Sequence, residues 1–185
     1  MRAETVEILL VRHAPADHGG RLTGRRDVPA ILPDAAALAP LRAALDGCAV
    51  MSSPARRCRE TAAALFPGAV ETDACLWEQD FGEAEGTPFD ALPDLGPMSR
   101  GDIARHAYPG GESFLDLCAR VRPALEAAEG RLAVIAHAGT VRAALALALS
   151  DPADALAFDI APLSLTRVLL LPGGVSILGV NRTFA

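Results

Sequence analysis

Lysine is missing from this chain of 185 residues, and all 17 basic side chains are arginine. Arginine is always charged and offers a planar fork that matches phosphate and carboxylate oxygens; compositional bias alone produces the same count, so placement has to decide. Aromatic residues make up only 4%, which leaves Ala, Leu, Val and Ile to fill the interior by close packing. No apolar run nears the roughly 20 residues of a membrane span; the longest is Ala143 to Leu149. Four cysteines, Cys48, Cys58, Cys75 and Cys118, lie far apart with no C-x-x-C pair, an arrangement that argues against a zinc site or a disulfide framework and for reduced core residues. Glu4 and Glu7 near the start, with no small-residue cleavage pattern, do not read as a secretory signal, and a cytoplasmic location is expected. The net charge of −6 disfavours a nucleic-acid binder, which needs a basic face against phosphates. Neither G-x-x-x-x-G-K nor G-x-G-x-x-G occurs, so a generic nucleotide-binding domain is disfavoured as well.

What is present suits a folded interior: 51% apolar and 22% charged residues, in a length that fits one domain over 1–185. Val6 to Val11 reads as a buried strand, and Ala14 to Pro33 as a long loop broken by Gly19, Gly20 and Gly24. A helix is expected from about Asp34 to Leu45, then a strand from Cys48 to Met51. A second helix is expected to open at Ser53-Pro54 and run to Pro67, followed by a brief strand over Val70 to Thr72. Leu76 to Met98 has no sustained period and reads as a surface excursion, with five acidic residues between Glu78 and Asp90. The loop reading extends over Thr87 to Arg105. Ser113 to Ala128 is an amphipathic helix, with Asp116 suited to its positive end and Pro123 expected to kink it. Leu132 to Ala136 is another apolar strand and Thr140 to Leu149 another helix. Leu165 to Leu171 and Val175 to Val180 form a hairpin around Pro172-Gly173-Gly174. Strands alternating with helices imply an α/β fold, a three-layer α/β/α arrangement whose mostly parallel sheet contains one antiparallel strand.

In such sheets ligands sit beyond the carboxyl ends of the strands. Three of these ends carry polar residues: Arg12 and His13 after the first strand, Ser52 and Ser53 leading to Arg56 and Arg57 after the second, and His137, Ala138 and Gly139 after the Leu132 strand. Two imidazoles and at least two guanidiniums converging on one edge are costly to assemble without an anion, and a phosphate fits, held by Arg forks and by amides near the start of the Thr140 helix. Each piece alone has a plainer explanation. A strand-end His is commonly structural, and Arg56, Arg57 and Arg59 can form a solvated face with Arg56 and Glu60 as a surface pair. His18 and His106 sit in loops and receive no catalytic role.

Five segments in order then resemble the histidine phosphatase superfamily, branch 1, also called phosphoglycerate-mutase-like. They are L-L-V-R-H at Leu9 to His13; S-x-x-x-R-x-x-x-T-A at Ser53, Arg57, Thr61 and Ala62; and L-x-E-x-x-x-G at Leu76, Glu78 and Gly82. P-G-G-E-S follows at Pro109 to Ser113, and a second histidine motif at Ala136 to Gly139. The resemblance implies a phosphoglycerate-mutase-like fold and a phosphohistidine intermediate on His13. Arg12, Arg57 and His137, with Ala138, would hold phosphoryl oxygens, and Glu78 would be the proton donor. Among acids nearby, Asp80, Glu83 and Glu85 compete with Glu78, and the motif alone selects it. The implied chemistry needs no metal or other cofactor, since positioning and Arg stabilisation supply the rate.

Ala14-Pro15 departs from the Gly and polar residue usual after the first histidine. The short chain favours a hydrolase over a mutase, and the pattern looks most like alpha-ribazole phosphatase members, in total length above all. The expected partner is a small phosphorylated metabolite such as alpha-ribazole 5'-phosphate, with neither nucleic acid nor membrane and with a homodimer open. Arg21, Arg25 and Arg26 are candidates for a second anionic group of the substrate. The alternatives are a phosphoglycerate-type mutase and a phosphate-binding regulatory module without turnover.

Overall fold

Strand β1, Val6–Arg12, divides its side chains between two cores. Val6, Ile8 and Leu10 enter one apolar cluster, while Leu9 and Val11 enter the other. Strand β4, Arg131–Ala136, does the same, with Leu132, Val134 and Ala136 on one side and Ala133 and Ile135 on the other. Burial on both faces is why these strands read as unbroken aliphatic runs in the sequence. The computed structural model describes residues 4–184.

The two strands pair in parallel at the centre of a six-stranded sheet. Strand β2, Ala49–Ser52, lies on the far side of β4, and β3, Glu71–Thr72, beyond it. On the other flank β5, Leu165–Leu171, runs antiparallel to β1 and to the edge strand β6, Gly174–Arg182. The sheet order is therefore β3-β2-β4-β1-β5-β6, with β5 as the antiparallel strand among parallel ones.

Helices cover both faces. On one lie α1, Ala35–Ala44, and α2, Arg56–Leu65, which bury Leu38, Leu41, Cys58, Ala62 and Leu65 against Leu9 and Val11. On the other lie α4, Phe114–Glu126, and α5, Ala138–Ala146, contributing Phe114, Leu117, Val121, Leu125, Val141 and Leu145. Helix α4 starts in a capping box between Ser113 and Asp116 and continues through Pro123.

Several boundaries differ from the sequence reading. Helix α2 begins at Arg56, not at Ser53-Pro54, because the Ser53 hydroxyl is engaged with His137, and a distant carboxylate, Asp27 Oδ1, accepts from the Arg56 amide at 2.5 Å. Helix α5 begins two residues earlier than expected, at Ala138. A short helix, α3 (Arg100–Arg105), occupies part of the stretch read as loop. Its Ser99 and Asp102 side chains bond each other's end of the first turn, and the S-x-x-D spacing was the available signal. A 3-10 turn over Pro152–Ala157 was also missed. Of the four free cysteines only Cys58 is fully buried; Cys48, Cys75 and Cys118 are half-buried. No helix among the described residues is long and apolar enough to cross a membrane.

Candidate active site

His13 follows directly on β1 and His137 directly on β4. The parallel register sets Arg12 opposite Ala136, so the two imidazoles leave neighbouring strands at one level. Their ring centroids are 5.2 Å apart, edge to face. Arg57, in the first turn of α2, spans both rings. Its Nε donates to His13 Nε2 at 3.3 Å, and Nη2 lies 3.2 Å from His137 Nδ1. Nη2 also donates to the Gly24 carbonyl at 2.8 Å and Nη1 to the Arg26 carbonyl at 3.0 Å. Arg57 is 1% exposed, and all of these partners are neutral. A buried cation held only by neutral acceptors is a site for an anion.

The hydrogen bonds assign both tautomers. The Ala14 carbonyl can only accept, so His13 Nδ1, 2.6 Å away, carries the proton and Nε2 keeps its lone pair. The Arg57 guanidinium can only donate, so His137 Nδ1 accepts and its Nε2 donates to Ser53 Oγ at 2.8 Å. Burial, reinforced by the nearby guanidiniums, pushes the pKa of His13 down to about 3 and that of His137 well below its usual value. Both rings are therefore neutral at neutral pH. His13 retains 6% exposure and His137 none. Cys58 Sγ packs 3.5 Å from His137 Nε2, and burial raises the pKa of that thiol.

Ala14, the departure noted in the sequence, is fully buried. Its amide donates to Thr61 Oγ1 at 3.0 Å, so the first turn after β1 is tied to α2. Arg12 donates through Nη1 to the Ile160 carbonyl, while its Nε is buried with no hydrogen-bond partner among the described residues. Burial lowers the pKa of Arg12, against the attraction of Glu78.

Glu78 reaches the same edge from the acidic loop. Its Oε2 accepts from the Gly139 amide at 3.3 Å, in the first turn of α5. A side chain at position 139 would put Cβ 2.2 Å from Glu78 Oε1 and 2.6 Å from Leu117 Cδ2, so only glycine lets the carboxylate approach. Arg120 fixes the loop from beneath. It donates to the carbonyls of Cys75, Trp77 and Glu78 and is paired in two bonds with the Glu112 carboxylate. Sequence reasoning did not single out Arg120 or Glu112 as individual residues, although Glu112 lies within the P-G-G-E-S segment. The spacing of eight residues between the two was the only local clue.

The structure thus gathers His13, His137, Arg57, Arg12 and Glu78, with Ala138 opening α5 beside them. The loop arginines stand apart. Arg21 donates to the Gly86 carbonyl and is exposed. Arg25 lies over the Trp77 ring and within 4 Å of Asp80 and Glu112. Arg26 reaches the cluster only through its backbone carbonyl, on Arg57. Glu60, read as the partner of Arg56, does pair with it at 2.7 Å and also accepts from the Ala30 amide, tying the long loop to α2. Among the described residues no group of three or more His, Cys, Asp or Glu side chains is placed to hold a metal ion.

Comparison with known proteins bears on the same arrangement. No curated protein matches the chain. Solved structures do: TTHB049 of Thermus thermophilus is 28% identical, with a TM-score of 0.73 over 92% of this chain and 97% of that one. A protein described as mycobacterial hydrolase 1 is 23% identical, with a TM-score of 0.82 over 97% and 100% of the two chains. The mycobacterial glucosyl-3-phosphoglycerate phosphatase is 22% identical, with a TM-score of 0.81 over 97% and 100%. These last two likenesses speak for the fold. The model of the histidine phosphatase superfamily, branch 1, matches residues 8–183, nearly the whole chain, and the protein belongs to that family as a histidine phosphatase enzyme.

Proposed function

We propose that this protein hydrolyses a phosphomonoester through a phosphohistidine formed on His13. The supporting observation is the tautomer of that residue, whose Nδ1 proton is held by the Ala14 carbonyl while Nε2, unprotonated, faces Arg57. The lone pair on Nε2 attacks phosphorus in line with the ester oxygen. The N–P bond forms, the P–O ester bond breaks, and the protonated Glu78 carboxyl gives its proton to the departing alkoxide. The ionised carboxylate then takes a proton from water as that water attacks the phosphohistidine, which releases phosphate and restores neutral His13. As the phosphate enters, the Nε–H and Nη2–H of Arg57 turn from the two ring nitrogens and, with Arg12, serve the phosphoryl oxygens, whose charge spreads in a loose transition state. His137 joins them by taking up a proton on Nδ1, its Nε2–H being held by Ser53.

Hydrolysis is favoured over mutase transfer by the short chain of 185 residues, since the resemblance implies longer inserts around the acidic loop in mutases. The substrate we propose is a small phosphorylated metabolite. Alpha-ribazole 5'-phosphate follows from the length and motif pattern, and glucosyl-3-phosphoglycerate from the name of one structural relative. Arg21 and Arg25, on the flanking loops, are proposed to meet its second anionic group.

Brief incubation with a phosphomonoester, followed by quenching, should trap an acid-labile, alkali-stable phosphoenzyme on His13. The same treatment of His13→Ala should trap none, with kcat/KM down by about 10⁴-fold. A His13→Ala enzyme of substantial activity would refute the proposal. Release of inorganic phosphate from a monophosphoglycerate, rather than its isomerisation, separates hydrolase from mutase.

A further inference from the structure

Arg57 is oriented by a loop that is itself held by one carboxylate, Glu85. The Glu85 Oε1 atom accepts from the amides of Gly24 at 3.0 Å, Arg25 at 2.7 Å and Phe81 at 3.3 Å, and Oε2 from Gly24 at 3.1 Å and Arg26 at 3.3 Å. Three consecutive amides turned onto one anion form a backbone nest of the kind that elsewhere binds phosphate. Here the anion is built into the chain. The carbonyls of the same segment point the other way: Gly24 O accepts from Arg57 Nη2 and Arg26 O from Nη1. With those outer hydrogens engaged, the fork presents Nε–H and the remaining Nη2–H toward His13 Nε2 and His137 Nδ1.

The fit around this latch is close. A Cβ at position 24 would lie 1.9 Å from the Gln79 carbonyl and 2.6 Å from Glu85 Oε1, so glycine is required for the loop to reach the carboxylate. Two further carboxylates fasten the same loop to α2, Asp27 to the Arg56 amide and Glu60 to the Ala30 amide. Neither bonds the segment whose carbonyls hold Arg57.

We propose that Glu85 is a positioning residue for phosphoryl transfer, setting the Arg57 fork through residues 24–26. The proposal rests on the hydrolase reading, because it gives Arg57 a role in binding the transferring group. Its distinguishing mark is dependence on Arg57. A displaced fork weakens transition-state contacts more than ground-state ones, and a shift of about 1 Å costs on the order of 100-fold in rate.

The test is a double-mutant cycle of Glu85→Ala and Arg57→Ala, with kcat/KM measured on an aryl phosphate and inhibition constants on orthovanadate and inorganic phosphate. Glu85→Ala should lose about 10- to 100-fold in kcat/KM and weaken vanadate more than phosphate. In the Arg57→Ala background it should cost little further. Glu85→Gln, which keeps an acceptor oxygen and the side-chain length, should recover part of the loss. Full multiplication of the two effects, or equal weakening of both anions, would overturn the proposal. If Glu85→Ala does not fold, the cycle is run with Glu85→Gln, and failure of both variants to fold would overturn it as well. An Arg57→Ala enzyme of unchanged activity would instead refute the hydrolase reading.

Discussion

An imidazole is a usable nucleophile at neutral pH only when one nitrogen is kept free of its proton, and for His13 the adjoining peptide carbonyl does that. In the proposed mechanism, Glu78 has the complementary task of supplying a proton. Glu78→Gln should slow esters of poor leaving groups by about 10²- to 10⁴-fold and activated aryl phosphates far less, since the latter depart without a proton. Steady-state rates across a series of leaving groups test this, and equal losses would argue against the acid role. Residues whose chemistry sits at a strand end or in a motif were legible from the sequence: His13, His137, Arg57, Arg12 and Glu78 all converge. Arg120 and Glu112 were not, and the holding roles of Ser53, named only at a strand end and in a motif, and of Glu85, named only as an acid competing with Glu78, were not either, because each grips backbone or side chains away from its own neighbours in sequence. A carboxylate that grips amides some 60 positions away leaves no local signature. Arg21, which donates to the Gly86 carbonyl, and Arg25, which lies over Trp77 near Asp80 and Glu112, show the opposite limit: a basic loop residue reads the same in the sequence whatever its side chain meets.

Elements hold the site at their ends, and their ends were the least legible part of the fold. Strands β1 and β4 declared themselves by aliphatic composition and α4 by its periodicity. The start of α2 was misplaced because its cap, Asp27, comes from another loop. Thr61 shows how one helix residue ties two ends together. Its hydroxyl donates to the Arg57 carbonyl at 2.7 Å and accepts from the Ala14 amide at 3.0 Å. Thr61→Val keeps the shape and leaves that buried amide unpaired, which should cost about 1–3 kcal/mol of stability and lower kcat by loosening the turn that bears the His13 proton acceptor. Denaturant titration alongside kinetics reads both effects. Ser113→Ala removes the capping box of α4 and should cost about 1 kcal/mol. It should leave turnover nearly unchanged, because the bond it breaks does not bear on the imidazoles.

Across the whole molecule, two aliphatic cores press on one sheet, and the polar groups taken into that interior make stability depend on pH. In the fold His13 titrates near 3 and His137 well below 6.5, whereas the unfolded chain takes up these protons from about pH 6.5 downward. A histidine with a depressed folded pKa contributes stability that is present above its unfolded pKa and lost as pH falls. Unfolding free energy should therefore drop as pH goes from about 6.5 toward 3, with the lowered carboxyls of Glu7 and Glu112 adding to the decline at its acid end. Denaturant midpoints for the unaltered protein and for His13→Gln test the point, and the variant should show the shallower slope between about pH 6.5 and 4.5. An unchanged slope would mean that the buried ring is not the titrating group.

The central pairing of β1 with β4 joins residues 124 positions apart, such as Glu7 and Arg131, and the two imidazoles extend that alignment by one step. Slipping one strand past the other by a single residue would turn His137 to the opposite side of the sheet. Catalysis therefore reports on completed folding: regain of turnover during renaturation marks the moment when two distant stretches of chain have met in register, and a fragment lacking either strand has nothing to regain.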